Sequence, residues 1–193
     1  MKLITHILSG FLTATLIGCA HRITINPAHD SASSNPPVIK KNVVYVLTDG
    51  DRQKEVITEG GGGDKVKYFP YRDLEKTIRD VLRSIYDGVY VVTSPNDKEA
   101  LAKYKASFIF TPEISTSSSS PSVFTWPPTN FSIEATFNVT DVNGNLLARP
   151  KATGVGQAEF KEFKSNFGLA GQRAAIDLAK KLEAEIRSSP KLQ

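Results

Sequence analysis

Residues 131–139, FSIEATFNV, alternate strictly between apolar and polar side chains. The apolar positions are Phe131, Ile133, Ala135, Phe137 and Val139, and the polar positions are Ser132, Glu134, Thr136 and Asn138. Because consecutive side chains of a strand point to opposite faces, this pattern predicts a strand with one face on the core and one face in water. The turn residues 141–144, DVNG, follow, and the run 145–160, NLLARPKATGVGQAEF, is predicted to return as the partner strand.

Two amphipathic helices are predicted to cover the apolar, core-facing side of this sheet. The first lies between Pro70 and Gly88, and the second lies near the C-terminus. The first carries an apolar stripe of Leu74, Ile78, Val81, Leu82 and Ile85, and the second carries a stripe of Leu169, Gln172, Ile176, Ala179, Leu182 and Ile186, interrupted only by Gln172. Such stripes are typical of helices that pack on a core.

Three further strands and a short helix complete the predicted fold. The strands are NVVYVLTD at 42–49, VYVVT at 89–93 and ASFIFTPEI at 106–114, and the short helix lies within residues 94–105. The sequence therefore predicts an α+β domain with the order β-α-β-(α)-β-β-β-α. Its sheet is expected to be mostly antiparallel, with the two main amphipathic helices packed on one face.

The N-terminus has the features of an export signal. Lys2 precedes a mostly apolar run, residues 3–17, of about 15 residues, whereas a membrane-spanning helix needs roughly 20. The run ends at Leu16-Ile17-Gly18-Cys19, which resembles the lipobox of Gram-negative lipoprotein precursors. That resemblance implies cleavage before Cys19, lipidation of Cys19 with diacylglycerol and a further acyl chain such as palmitate, and, with alanine next, an outer-membrane anchor on the periplasmic face. The alternatives are an ordinary secretory signal or a buried thiol.

These features divide the chain into four parts. Residues 1–18 are predicted to be the lipoprotein signal peptide, and residues 19–41 the lipidated N-terminus with a flexible tether rich in Pro, Ser, Asn and Asp. Residues 42–187 are predicted to form a single α+β domain, and residues 188–193 a disordered tail. Within the tether, RITIN at 22–26 offers the alternative of an edge strand that packs onto the domain.

The glycine run Gly60–Gly63 poses the question of a phosphate-binding loop. A Walker motif starting at Gly60 requires glycine and lysine where this chain has Lys65 and Val66. Residues 64–69, DKVKYF, lie between the run and the first helix, and they favour extended chain over a helical N-terminus. We therefore interpret the run as a mobile loop, which we expect to become ordered on a partner.

Charge and residue content argue against nucleic-acid binding and most catalytic sites. The formal net charge is +4, with basic and acidic residues interspersed, so we expect no nucleic-acid partner. No histidine follows His29, and the single cysteine is the proposed lipidation site, so Cys-His, Ser-His-Asp and zinc sites cannot assemble in the domain. His21, His29 and Asp30 are interpreted as polar tether residues. We expect no enzyme activity, no metal and no cofactor; a carboxylate site remains open among Glu113, Glu134, Asp141 and Glu159.

The segment 115–130, STSSSSPSVFTWPPTN, presents the best candidate for a binding loop. Flexible polar residues lead into Val123, Phe124 and Trp126, the only tryptophan of the chain. Aromatic side chains on loops are typical of partner-binding sites. The alternative is that Phe124 and Trp126 fold back and close one end of the core.

The predicted architecture resembles the small α+β envelope lipoproteins of Gram-negative bacteria, such as YajG-type lipoproteins, the lipopolysaccharide-assembly lipoprotein and lipoprotein activators of penicillin-binding proteins. The resemblance implies a non-catalytic, membrane-tethered periplasmic lipoprotein that binds or helps assemble an envelope protein complex. The partners of such a lipoprotein would be the membrane, through the lipid on Cys19, and an envelope protein. The alternatives are a carrier or sensor of a small periplasmic ligand, such as a lipid or glycan fragment, and a carboxylate-based cell-wall hydrolase.

Overall fold

The structure of the protein is a computed structural model that describes residues 20–27 and 39–193. The lipobox and Cys19 lie outside the described residues, as do His29 and Asp30. Within the described ranges the elements are, in order, β1 (His21–Arg22), β2 (Ile39–Val46), α1 (Asp49–Gln53), β3 (Val56–Glu59), β4 (Lys65–Tyr68), α2 (Pro70–Ile85), β5 (Tyr86–Val92), α3 (Lys98–Tyr104), β6 (Ala106–Ser119), β7 (Asn130–Thr140), β8 (Leu146–Ala148), β9 (Lys151–Gln157), α4 (Phe160–Phe163), α5 (Leu169–Ser188) and a short 3-10 helix (Pro190–Leu192).

The main sheet has six strands and confirms the predicted α+β class. Its strand order is β5-β2-β6-β7-β8, and β9 also pairs with β7. The strand predicted from the alternating pattern is β7, and its side chains alternate between buried and half-buried along its whole length. All three partners of β7 are antiparallel to it, while β2 runs parallel to both β5 and β6. The sheet is therefore mixed. The connections that contain α2 and α3 carry the chain back to the end of the sheet at which the previous strand began, so β2, β5 and β6 run parallel.

The two main helices lie on the same face of the sheet, as predicted. Their apolar stripes join the inward side chains of the sheet in one cluster, in which Tyr45, Leu82, Phe110, Phe137 and Leu178 are almost completely buried. The short helix α3 lies on the opposite face, where Leu101 packs with Val44, Val46, Val92 and Ile109. The outer face of β6, β7 and β9 carries the polar half of the alternating pattern.

Two glycines let α5 lie directly on β9. A Cβ atom at Gly154 would stand 2.1 Å from the carbonyl oxygen of Ala174, and one at Gly156 would stand 2.1 Å from that of Ala170. Real side chains cannot approach backbone atoms so closely, so these positions require glycine. The helix backbone therefore contacts the strand backbone without an intervening layer of side chains.

Side chains of α5 also form hydrogen bonds with backbone groups of β9. The N–H of Val155 donates to Oδ2 of Asp177 at 2.9 Å, and Nζ of Lys181 donates to the carbonyl of Thr153 at 3.1 Å. These bonds use groups that would otherwise be open to pairing with another strand. β9 is therefore a protected edge.

A second, three-stranded sheet has the order β1-β4-β3. β3 and β4 form an antiparallel hairpin across the glycine run, and β1 adds to β4 in parallel. The extended chain predicted between the glycines and the first helix is thus β4.

The prediction of a disordered tail at residues 188–193 is wrong. α5 continues to Ser188, and the following 3-10 helix places Leu192 in a fully buried position. The carbonyl of Leu192 accepts a hydrogen bond from the buried hydroxyl of Tyr86 at 3.0 Å, and burial raises the pKa of that hydroxyl. The apolar Leu192 side chain and this bond hold the tail on the domain.

Substituting Gly154 tests the close packing of α5 on β9. Gly154→Ala is expected to lower the free energy of unfolding by about 1–3 kcal/mol, because the added methyl group overlaps helix backbone that cannot move aside. Urea denaturation measures the loss. The matched control is Gly50→Ala in α1, where the nearest atom is 3.6 Å away and the change should be neutral or stabilising by up to about 1 kcal/mol. Equal stability of the two variants would contradict the proposed contact.

Candidate membrane-facing and partner-facing surfaces

Residues 20–27 are packed into the domain. Ile25 is fully buried and Ile23 nearly so. The N–H of Ile23 donates to the carbonyl of Lys67 at 3.0 Å, and the N–H of Ile25 donates to Oδ2 of the buried Asp73 at 3.2 Å. The flexible tether expected over residues 19–41 therefore includes neither residues 20–27 nor residues 39–41, which begin β2. Of the RITIN alternative, the packing onto the domain is confirmed, whereas the edge strand β1 covers only His21–Arg22.

Glycines at the start of α5 shape the groove that receives this segment. A Cβ at Gly168 would stand 2.0 Å from the carbonyl oxygen of Thr24, and one at Gly171 would stand 2.4 Å from Cγ2 of Ile25. The N-terminal end of α5 thus accommodates residues 24 and 25. These partners are more than 140 residues apart in the sequence, so no local sequence pattern predicts the contact.

The N-terminal segment ends beside the tryptophan. The ring of His21 stacks on that of Trp126 with centroids 4.2 Å apart, and the ring of Phe167 lies on Trp126 at 4.7 Å. Nε2 of His21 is 3.7 Å from a carboxylate oxygen of Asp64. Trp126 is half-buried and also packs against the main core. Trp126 was open to two interpretations, a partner-binding residue or a residue that closes one end of the core, and its position fits the second.

Val123 and Phe124 point away from the core. Their exposed fractions are 71% and 93%. Phe160, at 72% exposed, and Phe167, at 39%, line the same hollow of about 370 Å³ as Phe124 and Trp126. Together with Val123, which precedes Phe124 in the chain, these four residues form what we call the aromatic surface. The loop 115–130 thus combines one core-closing residue with two exposed ones.

Phe160 and Phe167 are site residues that the sequence reading missed. Phe160 ends the run 145–160, which the sequence predicts as a strand, whereas in the structure it begins the short helix α4. The available signal was the spacing of three phenylalanines in FKEFKSNF, residues 160–167. Of these, only Phe163 is buried, and it fixes α4 on the core.

Ion pairs fix the position of α4 and set the charge beside the aromatic surface. Arg173 donates to both carboxylate oxygens of Glu162 at 2.8 and 3.1 Å, and to the carbonyl of Gln157 at 2.7 Å. The hydrogen bond from Arg173, with help from the backbone N–H of Glu159, lowers the pKa of Glu162 to about 2. Two lysines border the hollow, Lys161 and Lys164, and Glu159 pairs with the first at 2.9 Å. The surface is therefore apolar with a weak positive charge.

The glycine run holds the aromatic loop in place. The N–H of Gly61 donates to the carbonyl of Trp126 at 3.0 Å, and that of Gly62 donates to the carbonyl of Ser122 at 3.1 Å. A Cβ at Gly61 would stand 1.7 Å from the carbonyl oxygen of Thr125. The interpretation of this run as a mobile loop is therefore wrong. Because glycine has no side chain, the backbone of the run lies directly against the backbone of the aromatic loop and is hydrogen-bonded to it.

The long hairpin of β6 and β7 separates the aromatic surface from a second candidate surface. Eleven residue pairs, from Ile109↔Thr140 to Ser119↔Asn130, join the two strands, which gives the hairpin a length of about 33 Å. The aromatic loop follows Ser119 at one end. At the other end α3 and the β7–β8 turn enclose a groove of about 550 Å³, which we call the distal groove. Leu101 and Ile109 line it together with the polar Asn138 and Thr140.

The turn beside the distal groove is held by its own hydrogen bonds. Oδ1 of Asp141 accepts from the N–H groups of Asn143 and Asn145 at 2.8 and 2.9 Å. The bonds from Asn145, more than those from Asn143, lower the pKa of Asp141. Val142 is 50% exposed at the tip of this turn. The tip therefore presents an apolar side chain on a rigid support.

The four candidate catalytic carboxylates each have a partner of their own. Their contacts are Glu113 with Arg149 at 3.9 Å, Glu134 with Lys151 at 2.9 Å, Asp141 with the side chain of Asn145 at 2.8 Å, and Glu159 with Lys161 at 2.9 Å. Among residues 20–27 and 39–193, no group of His, Cys, Asp or Glu side chains is arranged to hold a metal ion. Over the same residues, no helix is long and apolar enough to span a bilayer.

The chain aligns with solved structures of two bacterial proteins. A Xanthomonas campestris protein of the DUF330 family aligns with a TM-score of 0.46 and 10% identity, over 85% of this chain and 90% of that chain. The PelC dodecamer of Paraburkholderia phytofirmans aligns in two crystal forms, with TM-scores of 0.43 and 0.44, identities of 17% and 16%, over 79% and 78% of this chain and 94% and 93% of PelC. No protein-family model and no curated protein matches the chain.

Shortening Ile25 tests whether residues 20–27 are an integral part of the domain. Ile25→Ala is expected to cost about 2–5 kcal/mol of unfolding free energy, as for other fully buried aliphatic residues. It should also speed amide exchange of residues 20–27 more than that of β7, since the segment loses its main buried contact. Ile57→Ala on β3, where the side chain is 55% exposed, is the control and should change stability by less than about 0.5 kcal/mol. Unchanged exchange of residues 20–27 in Ile25→Ala would contradict this role.

Proposed function

We propose that the protein is a non-catalytic lipoprotein of the bacterial envelope, anchored through lipid on Cys19, that binds or helps assemble an envelope protein complex. The observation that carries the proposal is the packing of residues 20–27 into the domain. His21 is fixed against Trp126, and Cys19 is two residues earlier, within about 7 Å of His21 even in a fully extended chain. A lipid on Cys19 would therefore hold the domain directly at the leaflet, with almost no slack.

This anchoring gives the long hairpin a direction. One end of β6 and β7 lies at the aromatic loop, beside the anchor, and the other end lies about 33 Å away. The distal groove and the exposed Val142 are at that far end. A surface held away from the leaflet on a rigid hairpin suits contact with another envelope protein in the periplasm.

The shape of the distal groove favours a second candidate function, the binding of a small periplasmic ligand. Its volume of about 550 Å³ falls within the range of small-molecule sites. Val142, 50% exposed, offers apolar contact, while Thr111 and Asn138 offer hydrogen bonds. The hydrolase alternative has less support, because the four candidate carboxylates are each engaged with their own partners.

Replacing the proposed lipidation site tests the anchor. Wild-type protein from a Gram-negative host is expected to lack residues 1–18, to carry acyl mass on Cys19 and to fractionate with the outer membrane. Cys19→Ser should carry no acyl mass and leave that fraction, because the acyl chains supply the membrane affinity. Intact-mass spectrometry and membrane fractionation measure both. Wild-type protein that retains residues 1–18, or carries an unmodified thiol, would overturn the proposal.

Site-specific photo-crosslinking in intact cells tests the partner surface. A crosslinking residue at position 142 should join the protein to one defined envelope protein, because Val142 stands at the far end of the hairpin. The control position is Ile57, which is similarly exposed, at 55%, on β3. The same partner should be lost from Val142→Asp and kept by Ile57→Asp in a co-purification experiment. Identical crosslinks from both positions would contradict a specific site at the distal groove.

A further inference from the structure

We propose that the aromatic surface rests on the phospholipid leaflet that holds the lipid of Cys19. This inference depends on the anchor proposed above and adds the face of the domain that meets the bilayer. Its occupant is the interfacial region of the bilayer, where acyl chains meet headgroups.

The exposed side chains fit this occupant. Val123, Phe124 and Phe160 each leave more than two thirds of their surface open to solvent. In water such a cluster is unfavourable, and it becomes favourable when a bilayer or another protein covers it. Phenylalanine side chains on one face are what surface-bound membrane proteins insert into the boundary of the acyl region.

The charge around the cluster is compatible with a phospholipid surface. Lys161 and Lys164 border the hollow, and Glu159 offsets the first of them at 2.9 Å. Glu162, also nearby, is neutralised by Arg173 at 2.8 Å. Because the remaining positive charge is small, apolar contact supplies most of the attraction and headgroup charge adds a lesser part.

The path of the chain favours a bilayer over a protein as the occupant. His21 lies against Trp126, so the acyl chains of Cys19 and the aromatic surface start from the same place on the domain. A protein partner would have to enter between the domain and the leaflet to which the domain is bound. The bilayer is already there, and covering the cluster requires no further molecule.

The single tryptophan provides a direct test. Lipidated full-length mature protein is reconstituted in phosphatidylethanolamine and phosphatidylglycerol vesicles whose acyl chains carry bromine, which quenches tryptophan emission on contact. The wild type should float with the vesicles and lose Trp126 emission relative to non-brominated vesicles. Phe124→Asp and Phe160→Asp should also float, because the acyl chains remain, but should recover most of that emission.

The control is Leu146→Asp, an apolar-to-acidic change at a 56% exposed position of β8, which pairs with Thr140 at the far end of the hairpin. It should be quenched as strongly as the wild type. Thermal melting verifies that each variant is folded, and two replaced phenylalanines keep the test usable if one variant does not fold. Wild type that floats without quenching overturns the inference and indicates a protein as the occupant of the aromatic surface. Equal quenching of both phenylalanine variants and the wild type also overturns it. Wild type that fails to float contradicts the lipid anchor itself.

Discussion

The burial of Ile25 is the contact on which the arrangement of this molecule depends. The side chain is fully buried, Gly171 leaves the space that it fills, and Asp73 accepts the hydrogen bond of its N–H. A flexible linker would let the domain adopt any orientation relative to a membrane. The packing of residues 20–27 instead fixes the point on the domain surface from which the chain continues to Cys19. It therefore also limits where any lipid on Cys19 can lie. The orientation at a leaflet would thus follow from ordinary core packing.

The sheet carries that orientation to the far end of the domain. β7 pairs with β6 over eleven positions and with β9 over seven, and α5 lies on β9 through the glycine contacts. The start of α5 also receives Thr24. One helix therefore contacts both the N-terminal segment and the sheet that extends to the distal groove. A rigid connection of this kind favours a scaffold that holds a partner at a set distance from a membrane.

The elements that could be predicted from sequence are those whose signal is local. The alternation of residues 131–139 and the stripes of α2 and α5 each reflect one buried face, so the pattern survives without knowledge of the neighbours. Residues 20–27 also carry a short alternation of Ile23 and Ile25 with polar residues. Their partners are about 48 and 146 residues away, at Asp73 and Gly171, and the polar composition that follows outweighs so brief a pattern. The same reason explains why the packing of residues 188–193 could not be predicted. The only apolar side chain that indicates it in the sequence is Leu192.

The aromatic surface shows why glycine content alone is a poor guide to mobility. Gly61 and Gly62 donate backbone hydrogen bonds to the carbonyls of Trp126 and Ser122, and the missing Cβ atoms permit that approach. The loop is therefore held by its backbone hydrogen bonds and by the packing of Trp126. Phe124, 93% exposed, contributes little to the stability of the loop that carries it. Its presence there is better explained by contact with something outside the domain than by folding.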